Sequence, residues 1–233
     1  MKEARIAFGV ANYGPLWAPA VSSWLNVMAF MAAHPEHGQV IGAGITDRMY
    51  THSAENQLVK DTLAESKFTH LFFTESDMVL PPDAIALLLQ VDQPIVSGVY
   101  FLRNGNGQPC LYVKAVYSKQ EPWPHTPVTR FPEDKPFKLG RKGGCPGFGC
   151  VLFKREVFEK IPYPWFDLNE KHYGSDMYFY TKAFESDFEV WVHPKVLCGQ
   201  IDYNMVTVDD YHRRIIEDPK FADNGYIIGA AQD

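Results

Sequence analysis

The sequence lacks three features that would point to particular classes of protein. No run of Lys or Arg is longer than two residues and the formal net charge is −6, so no basic stripe is available to follow a phosphate backbone. No apolar stretch approaches the ~20 residues that cross a bilayer, and the apolar stretch near the N-terminus is too short to be the hydrophobic core of a signal peptide. These absences argue against duplex nucleic acid as a partner and predict a soluble, cytoplasmic protein without a membrane span.

Cysteine is also scarce. The chain has four cysteines, Cys110, Cys145, Cys150 and Cys198, all in apolar or glycine-rich surroundings. Four are few for a disulfide framework in a chain of this size, and neither a CxxC pair nor a second pair of cysteines or histidines completes a zinc site. We therefore expect reduced, mostly buried thiols and no structural zinc.

Apolar residues, in contrast, are plentiful. The chain of 233 residues is 46% hydrophobic and 14% aromatic, which is enough to bury a full core in a single domain. Strand-like and helix-like stretches alternate in its first part, which is typical of an α/β, Rossmann-like fold with a mainly parallel central sheet flanked by helices. The predicted strands are 4–11, 39–46, 68–73 and 93–101, and the predicted helices are 20–33, 53–67 with Ser53 as N-cap, and a segment beginning near Pro82.

The pattern changes at residues 103–147, which are rich in Gly and Pro. Short β-like pieces at 110–117 and 127–131 predict a small β-hairpin and loop insertion, the kind of region where specificity often lies. Regular elements then return: a strand at 150–153, a helix at 155–161, a helix near 174–187, a strand at 188–194 and a helical stretch near 208–217.

One motif carries the clearest chemical signal. In "THLFFTESDMVLPPDAI", residues 69–85, an apolar strand ends directly at Glu75, Ser76 and Asp77. Ligands of an open α/β sheet bind at the carboxyl ends of its strands, and carboxylates at i and i+2 can hold a divalent cation that bridges a diphosphate. The alternative is structural: Glu75 caps a turn and Asp77 lies near the N-terminal dipole of the next helix.

Three segments in order resemble nucleotide-sugar-dependent glycosyltransferases of the GT-A fold, family 2-like. The motif just described resembles their Asp-x-Asp-type motif, "GFGCVLFKREVFEKI" at 147–161 resembles their glycine-rich stretch, strand and short helix, and "YGSDMYFYTKAFESDFEVWVHPKVLCGQI" at 173–201 resembles their acidic helix and final strand. The likeness covers roughly residues 4–204 apart from 103–142. It implies a nucleotide-binding half at 1–102, the variable insertion at 103–147, an acceptor-side half at 148–204 and a C-terminal tail at 205–233.

The resemblance also implies a metal and a base. Asp77 maps onto the surest metal ligand of the family, with Glu75 beside it, so the expected cofactor is Mn²⁺ or Mg²⁺. Many relatives complete the site with a histidine where this chain has Gln200, whose amide oxygen binds such a cation weakly. Asp176 maps onto the carboxylate that takes the acceptor proton in inverting members; the alternative role is that of a residue near the N-cap of its helix.

Further residues are assigned to the substrates by the same resemblance. The helix before the motif reads Glu55-Asn56 where related sequences often have Arg-Asn, so a cation that could meet the diphosphate is missing. Gly143, Gly144, Gly147 and Gly149 let backbone approach a sugar or pyrophosphate, or serve a tight turn, and Trp165 and Phe166 shape an acceptor site or pack in the core. The predicted substrate-binding residues are Ala11, Asn12, Tyr13, Asp47, Asn56, Glu75, Ser76, Gly147, Phe148, Trp165 and Phe166.

The function implied is transfer of a hexosyl or pentosyl group from a nucleoside diphosphate sugar to an acceptor hydroxyl, with inversion. Two alternatives remain open. A sugar-phosphate nucleotidyltransferase would have a basic, Gly-rich N-terminal loop, whereas "GVANYGPLWAP" contains no Arg or Lys. A degenerate, non-catalytic nucleotide-sugar-binding protein would keep the cleft without the chemistry, which Glu55 and Gln200 would suit. The acceptor and the oligomeric state are not specified by the sequence.

Overall fold

The computed structural model describes residues 3–103, 107–114, 125–140, 143–168, 174–202, 205–218, 220–221 and 226–228. Six α-helices occur in them: α1 Ala18–Ala33, α2 Thr51–Ala64, α3 Ala84–Gln90, α4 Arg155–Lys160, α5 Ser175–Glu185 and α6 Val208–Glu217. The strands are β1 Arg5–Ala11, β2 Gln39–Ile45, β3 His70–Glu75, β4 Met78–Val79, β5 Ile95–Val99, β6 Leu111–Lys114, β7 His125–Arg130, β8 Phe137–Lys138, β9 Gly144–Pro146, β10 Cys150–Lys154, β11 Val190–Leu197, β12 Gly199–Ile201, β13 Met205–Val206 and β14 Tyr226–Ile227.

A central sheet of seven strands has the order β2-β1-β3-β10-β5-β11-β8. The pairs β1–β2, β1–β3 and β5–β11 are parallel, but β10 runs antiparallel to both β3 and β5, and β8 runs antiparallel to β11. The prediction of a mainly parallel sheet is therefore wrong, and the sheet is mixed. The cause is the connection into β10: Cys150, its first residue, pairs with Thr74 near the carboxyl end of β3, so the chain re-enters the sheet at that edge and must run backwards.

The core lies on both faces of this sheet. Side chains alternate along β3, so that Leu71 and Phe73 pack with α2, α4 and α5 on one face and Phe72 packs with α1 and α3 on the other. Helices on both faces were expected from the alternation of strands and helices. The four cysteines are buried and free, as predicted.

Within the predicted insertion, β6 pairs antiparallel with β7, with Tyr112 opposite Pro127, and also with β9. β14, from the C-terminal part of the chain, adds to β7 in parallel, which gives a four-stranded sheet in the order β14-β7-β6-β9. β8, also from the insertion, joins the edge of the central sheet instead. Part of the insertion lies outside the described residues.

The start of α2 differs from the prediction. Tyr50, not Ser53, precedes the helix, and the backbone N–H groups of Ser53 and Ala54 both donate to Tyr50 O at 2.9 Å. Ser53 is therefore inside the first turn, where its side chain does not cap the helix. None of the described helices is long and apolar enough to cross a bilayer.

Candidate active site

The loop that carries Glu75 and Asp77 is held in place by a short strand pair that the sequence did not predict. β4 follows the loop immediately and pairs antiparallel with β12, which places Gln200 opposite Met78. Ile201 N donates to Asp77 O at 2.8 Å, so the loop backbone is fixed from the far end of the chain. As a result Gln200 lies beside Asp77, as the resemblance predicts, and its Nε2 donates to Asp77 Oδ2 at 3.3 Å.

A basic residue that the sequence analysis did not single out also contacts Asp77. Arg103 Nη1 lies 3.2 Å from Asp77 Oδ2, and the Asp77 side chain is only 14% exposed. Burial raises the pKa of Asp77, and the Arg103 charge and the Gln200 hydrogen bond oppose that rise. A pairing between residues 77 and 103 depends on where β3 and β5 end, which local sequence patterns do not show.

Four carboxyl groups, Glu55, Glu75, Asp77 and Asp176, form what we call the carboxylate cluster. Burial, and then the charges of Asp77 and Asp176, raise the pKa of Glu75 to about 8. Burial raises the pKa of Glu55 well above its usual range, against a hydrogen bond from Ser175, and Glu75 and Asp176 add to the rise. Glu75 is therefore largely protonated at neutral pH.

Glu55 also belongs to this cluster. From the sequence it was noted only as an acid at a position where the resembled glycosyltransferases often have arginine. Its side chain is 1% exposed, and its Oε2 has no hydrogen-bond partner among the residues that the structure describes. Glu55 comes three and four residues before Leu58 and Val59, a spacing that places it on the buried face of α2. This spacing is the sequence feature from which its burial could have been predicted.

Asp176 is the second residue of α5, whose N-cap residue is Gly174. Its Oδ1 accepts a hydrogen bond from Met177 N at 2.7 Å. A Cβ atom on residue 174 would lie 2.5 Å from this Oδ1, so the carboxylate occupies space that glycine leaves open. Burial raises the pKa of Asp176, and backbone hydrogen bonds from Met177 and Asp176 oppose the rise.

The predicted nucleoside-binding residues lie together at the carboxyl ends of β1 and β2. Asn12 N donates to Thr46 Oγ1 at 2.9 Å, while the buried Asn12 Oδ1 has no partner. The Tyr13 ring is 65% exposed and stacks on Tyr50 with 6.3 Å between ring centroids. Ala11 is buried as the last residue of β1, and Asp47 is exposed.

Asn56 is used internally. Its Nδ2 donates to His52 O and Phe166 O, both at 2.7 Å, and its Oδ1 accepts from Trp165 N at 3.1 Å and Phe166 N at 3.4 Å. The amide therefore joins α2 to the segment before α5, and both of its ends have protein partners.

Trp165, Phe166 and Phe148 lie in the core. For Trp165 and Phe166 this is the packing alternative that the sequence left open, whereas Phe148 was predicted only as a substrate-binding residue. Phe166 is 1% exposed and stacks on Phe179 with 5.1 Å between centroids, and Trp165 Nε1 donates to the carbonyls of Phe158 and Ile161.

The glycines before β10 serve close packing. A Cβ on Gly147 would overlap the Tyr100 hydroxyl, and one on Gly149 would lie 2.8 Å from the Tyr100 ring. Ser76 is partly buried between Glu75 and Asp77.

The predicted metal ligands were Asp77, Glu75 and Gln200. The described residues contain no group of three or more His, Cys, Asp and Glu side chains that could hold a metal ion. Asp77 Oδ2 already forms an ion pair with Arg103 and accepts a hydrogen bond from the Gln200 amide nitrogen, so Gln200 turns a donor, not its oxygen, toward the predicted position of the ion. An ion here would lack the Gln200 oxygen and would meet the Arg103 charge, so this arrangement does not fit Mn²⁺ or Mg²⁺.

Comparison with solved structures shows that the fold is shared with other proteins. A197 from STIV has a TM-score of 0.61 at 18% identity, over 88% of this chain and 91% of A197. A structure of GalNAc-T7 with UDP, GalNAc and Mn²⁺ has a TM-score of 0.53 at 11% identity, over 92% of this chain and 48% of that one, so our chain spans about half its length. The catalytic domain of Drosophila β1,4-galactosyltransferase 7, in complex with xylobiose, has a TM-score of 0.46 at 12% identity, over 83% of this chain and 66% of that one.

No protein-family model matches the sequence, and no curated protein matches it. At these identities the first two likenesses establish a shared mixed α/β fold. That fold is compatible with the GT-A-type architecture predicted from the sequence, whereas membership of glycosyltransferase family 2 stays a prediction.

Proposed function

We propose that the protein is a glycosyltransferase that moves a hexosyl or pentosyl group from a nucleoside diphosphate sugar to an acceptor hydroxyl. The observation that carries the proposal is that buried acids from α2, from the loop after β3 and from the start of α5 act on one another: the charges of Asp77 and Asp176 raise the pKa of Glu75, and those of Glu75 and Asp176 raise that of Glu55. These groups come from residues 1–102, the proposed donor half, and residues 148–204, the proposed acceptor half. The fold shared with GalNAc-T7, which was crystallised with a nucleoside diphosphate, a sugar and Mn²⁺, supports the assignment.

In the proposed reaction Asp176 is the general base. The acceptor oxygen attacks the anomeric carbon of the donor sugar while the bond from that carbon to the phosphate oxygen breaks, and the diphosphate leaves with the electron pair. The acceptor proton passes to the Asp176 carboxylate. A pKa raised by burial makes this carboxylate a stronger base than an exposed aspartate, which suits proton removal near neutral pH. Attack from the side opposite the diphosphate gives inversion.

The donor nucleoside is assigned to the ends of β1 and β2. The buried Asn12 Oδ1 without a partner is an acceptor that a base N–H or a ribose hydroxyl would satisfy. The exposed Tyr13 ring offers a face on which a base can stack, and Asp47 lies at the same edge.

The proposed reaction does not depend on the predicted Mn²⁺ or Mg²⁺. The resemblance assigns Asp77 and Glu75 to such an ion, but Asp77 Oδ2 already forms an ion pair with Arg103 and accepts a hydrogen bond from Gln200.

A non-catalytic nucleotide-sugar-binding protein is the second candidate function. The same two contacts to Asp77 favour it, because they occupy the group that the resemblance assigns to a metal. It differs from the first proposal in predicting binding without bond cleavage.

An Asp176→Asn variant tests the proposed function against a panel of nucleotide sugars, with donor hydrolysis and transfer measured together with calorimetric binding of the nucleoside diphosphates. We expect transfer to fall at least ~100-fold, as for removal of a general base, with binding retained. Asp61→Asn, an exposed carboxylate on α2, is the matched control. Undiminished turnover of Asp176→Asn would remove Asp176 from the mechanism, and wild-type binding without hydrolysis or transfer would favour the binding protein.

A further inference from the structure

Arg103 is the basic side chain that the described structure pairs with the carboxylate cluster. We infer that Arg103, rather than a bound divalent cation, supplies the positive charge that meets the diphosphate of the donor. This inference rests on the proposed function and names the residue that neutralises its leaving group. It also assigns Asp77 a different role, as the residue that positions Arg103.

The first support is the crowding of one oxygen atom. Asp77 Oδ2 forms an ion pair with Arg103, whose Nη1 lies 3.2 Å away, and accepts a hydrogen bond from Gln200 Nε2 at 3.3 Å. A Mg²⁺ ion bound to the same oxygen at about 2.0–2.1 Å would face the guanidinium charge and the amide hydrogens at short range. Both side chains would have to leave before such an ion could bind.

The second support is the way the backbone delivers Arg103. The chain after β5 pairs with the start of the insertion: Cys110 N donates to Tyr100 O at 2.8 Å, and Leu102 N donates to Gln108 O at 2.9 Å. Phe101 and Pro109 form a bridge between these two hydrogen bonds. The residue before Arg103 is therefore fixed at the carboxyl edge of the sheet, on the same side as the Glu75–Asp77 loop.

The third support is chemical. The guanidinium group is charged at all relevant pH values, and its planar fork of N–H donors matches pairs of phosphate oxygens. Arg103 is 55% exposed whereas Asp77 is 14% exposed, so part of the guanidinium faces solvent while Asp77 holds the buried part. The Arg103 charge also lowers the pKa values of both Asp77 and Glu75 against the effect of burial.

Gln200 is consistent with this assignment. Its amide nitrogen donates to Asp77 and so keeps the carboxylate oriented without a metal ion. Gln200 therefore stands where many of the resembled enzymes have a metal-binding histidine, and it holds Asp77 in the position in which Asp77 pairs with Arg103.

Calorimetric binding of UDP, GDP, ADP and CDP tests the inference, with wild type, Arg103→Met, Arg103→Lys and Arg213→Met, in EDTA and in MnCl₂. Arg213 is an exposed α6 arginine with its own carboxylate partner, Asp210, at 3.4 Å, and is the matched control. We expect wild type to bind one of these nucleotides in EDTA with an affinity that Mn²⁺ changes less than ~3-fold. We expect Arg103→Met to bind ~10–100-fold more weakly, as for a lost hydrogen bond to a charged group, Arg103→Lys to lie between, and Arg213→Met to match wild type.

Binding by wild type only with Mn²⁺ would overturn the inference, and so would an Arg103→Met variant that binds as tightly as wild type in EDTA. Recovery of Arg103→Met binding on addition of Mn²⁺ would support it, since the ion then replaces the missing charge. If none of the nucleotides binds wild type in either buffer, the proposed function itself fails. Thermal unfolding of each variant, followed by circular dichroism, identifies any loss of binding that comes from loss of fold.

Discussion

Single residues decide what the carboxyl edge of this sheet can do. Glu55 stands where the glycosyltransferases that the sequence resembles often have arginine, and it is buried next to Ser175, with Glu75 and Asp176 near enough to act on its pKa. With an acid at that position, a cation must come from elsewhere, and Arg103 is the basic side chain that the structure brings to the cluster. With Glu55 instead of a basic residue on α2, Arg103 is the residue that meets the diphosphate in the proposed function.

Asn56, the next residue along α2, is also defined by its contacts, and these contacts lead to a prediction about stability. Replacing it with alanine removes two donated and two accepted hydrogen bonds and leaves buried backbone groups of the 165–166 segment without partners. We expect Asn56→Ala to lower the free energy of unfolding by about 2–4 kcal/mol, measured by urea unfolding.

The control for this prediction is on the same helix. Gln57 bonds only to the exposed Asp61, and Gln57→Ala should change stability by less than ~0.5 kcal/mol. If Asn56→Ala instead left stability unchanged and weakened nucleotide binding, Asn56 would be a substrate contact, as the family resemblance predicts.

At the scale of elements, sequence periodicity located the helices and every strand of the central sheet except β8, but it did not give the directions of the strands. The apolar stretch at 150–153 was correctly assigned to a strand, yet its antiparallel direction follows from where the preceding insertion returns the chain. Direction depends on connections, and these are set by tertiary contacts such as the pairing of Cys150 with Thr74.

The candidate site was predicted in part for the same reason. Asp77 was singled out because it follows the end of an apolar strand, and Asp176 because its segment resembles the acidic helix of the glycosyltransferases; their roles stay predictions. Arg103 was missed because its contact with Asp77 joins the ends of two strands that are not adjacent in sequence, and two-residue strands such as β4 are too short to leave a periodic signal.

The N-terminus of α5 gives a prediction at this scale. Gly174 leaves space for the Asp176 carboxylate, since a Cβ there would lie 2.5 Å from Oδ1. Gly174→Ala should displace the carboxylate while leaving the helix formed, because the backbone φ of −172° is extended and open to any residue. We expect kcat to fall about 100-fold, as for an ~1 Å misplacement of a catalytic group, with KM for the donor unchanged.

Gly44→Ala is the matched control for this variant, because a Cβ on Gly44 would meet only Leu58, at 3.7 Å. Steady-state kinetics on both variants checks the split between kcat and KM. Full activity in Gly174→Ala would mean that the orientation of Asp176 in the structure does not matter for the reaction.

On the scale of the whole molecule, the two core clusters lie on opposite faces of one sheet and share its strands, so they should unfold together. The thiols report on this, because Cys145 belongs to one cluster and Cys110, Cys150 and Cys198 belong to the other. All four are buried, so a reagent reaches them only when the structure opens, and burial raises the pKa of Cys110 to about 12, which leaves that thiol almost entirely protonated at pH 8. We expect a thiol reagent such as DTNB to label the native protein slowly and all four sites in a single phase, at the rate of global opening.

Mass spectrometry of partly labelled protein identifies which cysteine reacts first. Labelling of Cys145 ahead of the other three would show that the face packed with α2, α4 and α5 opens on its own. The prediction that residues 1–233 form a single domain would then be wrong.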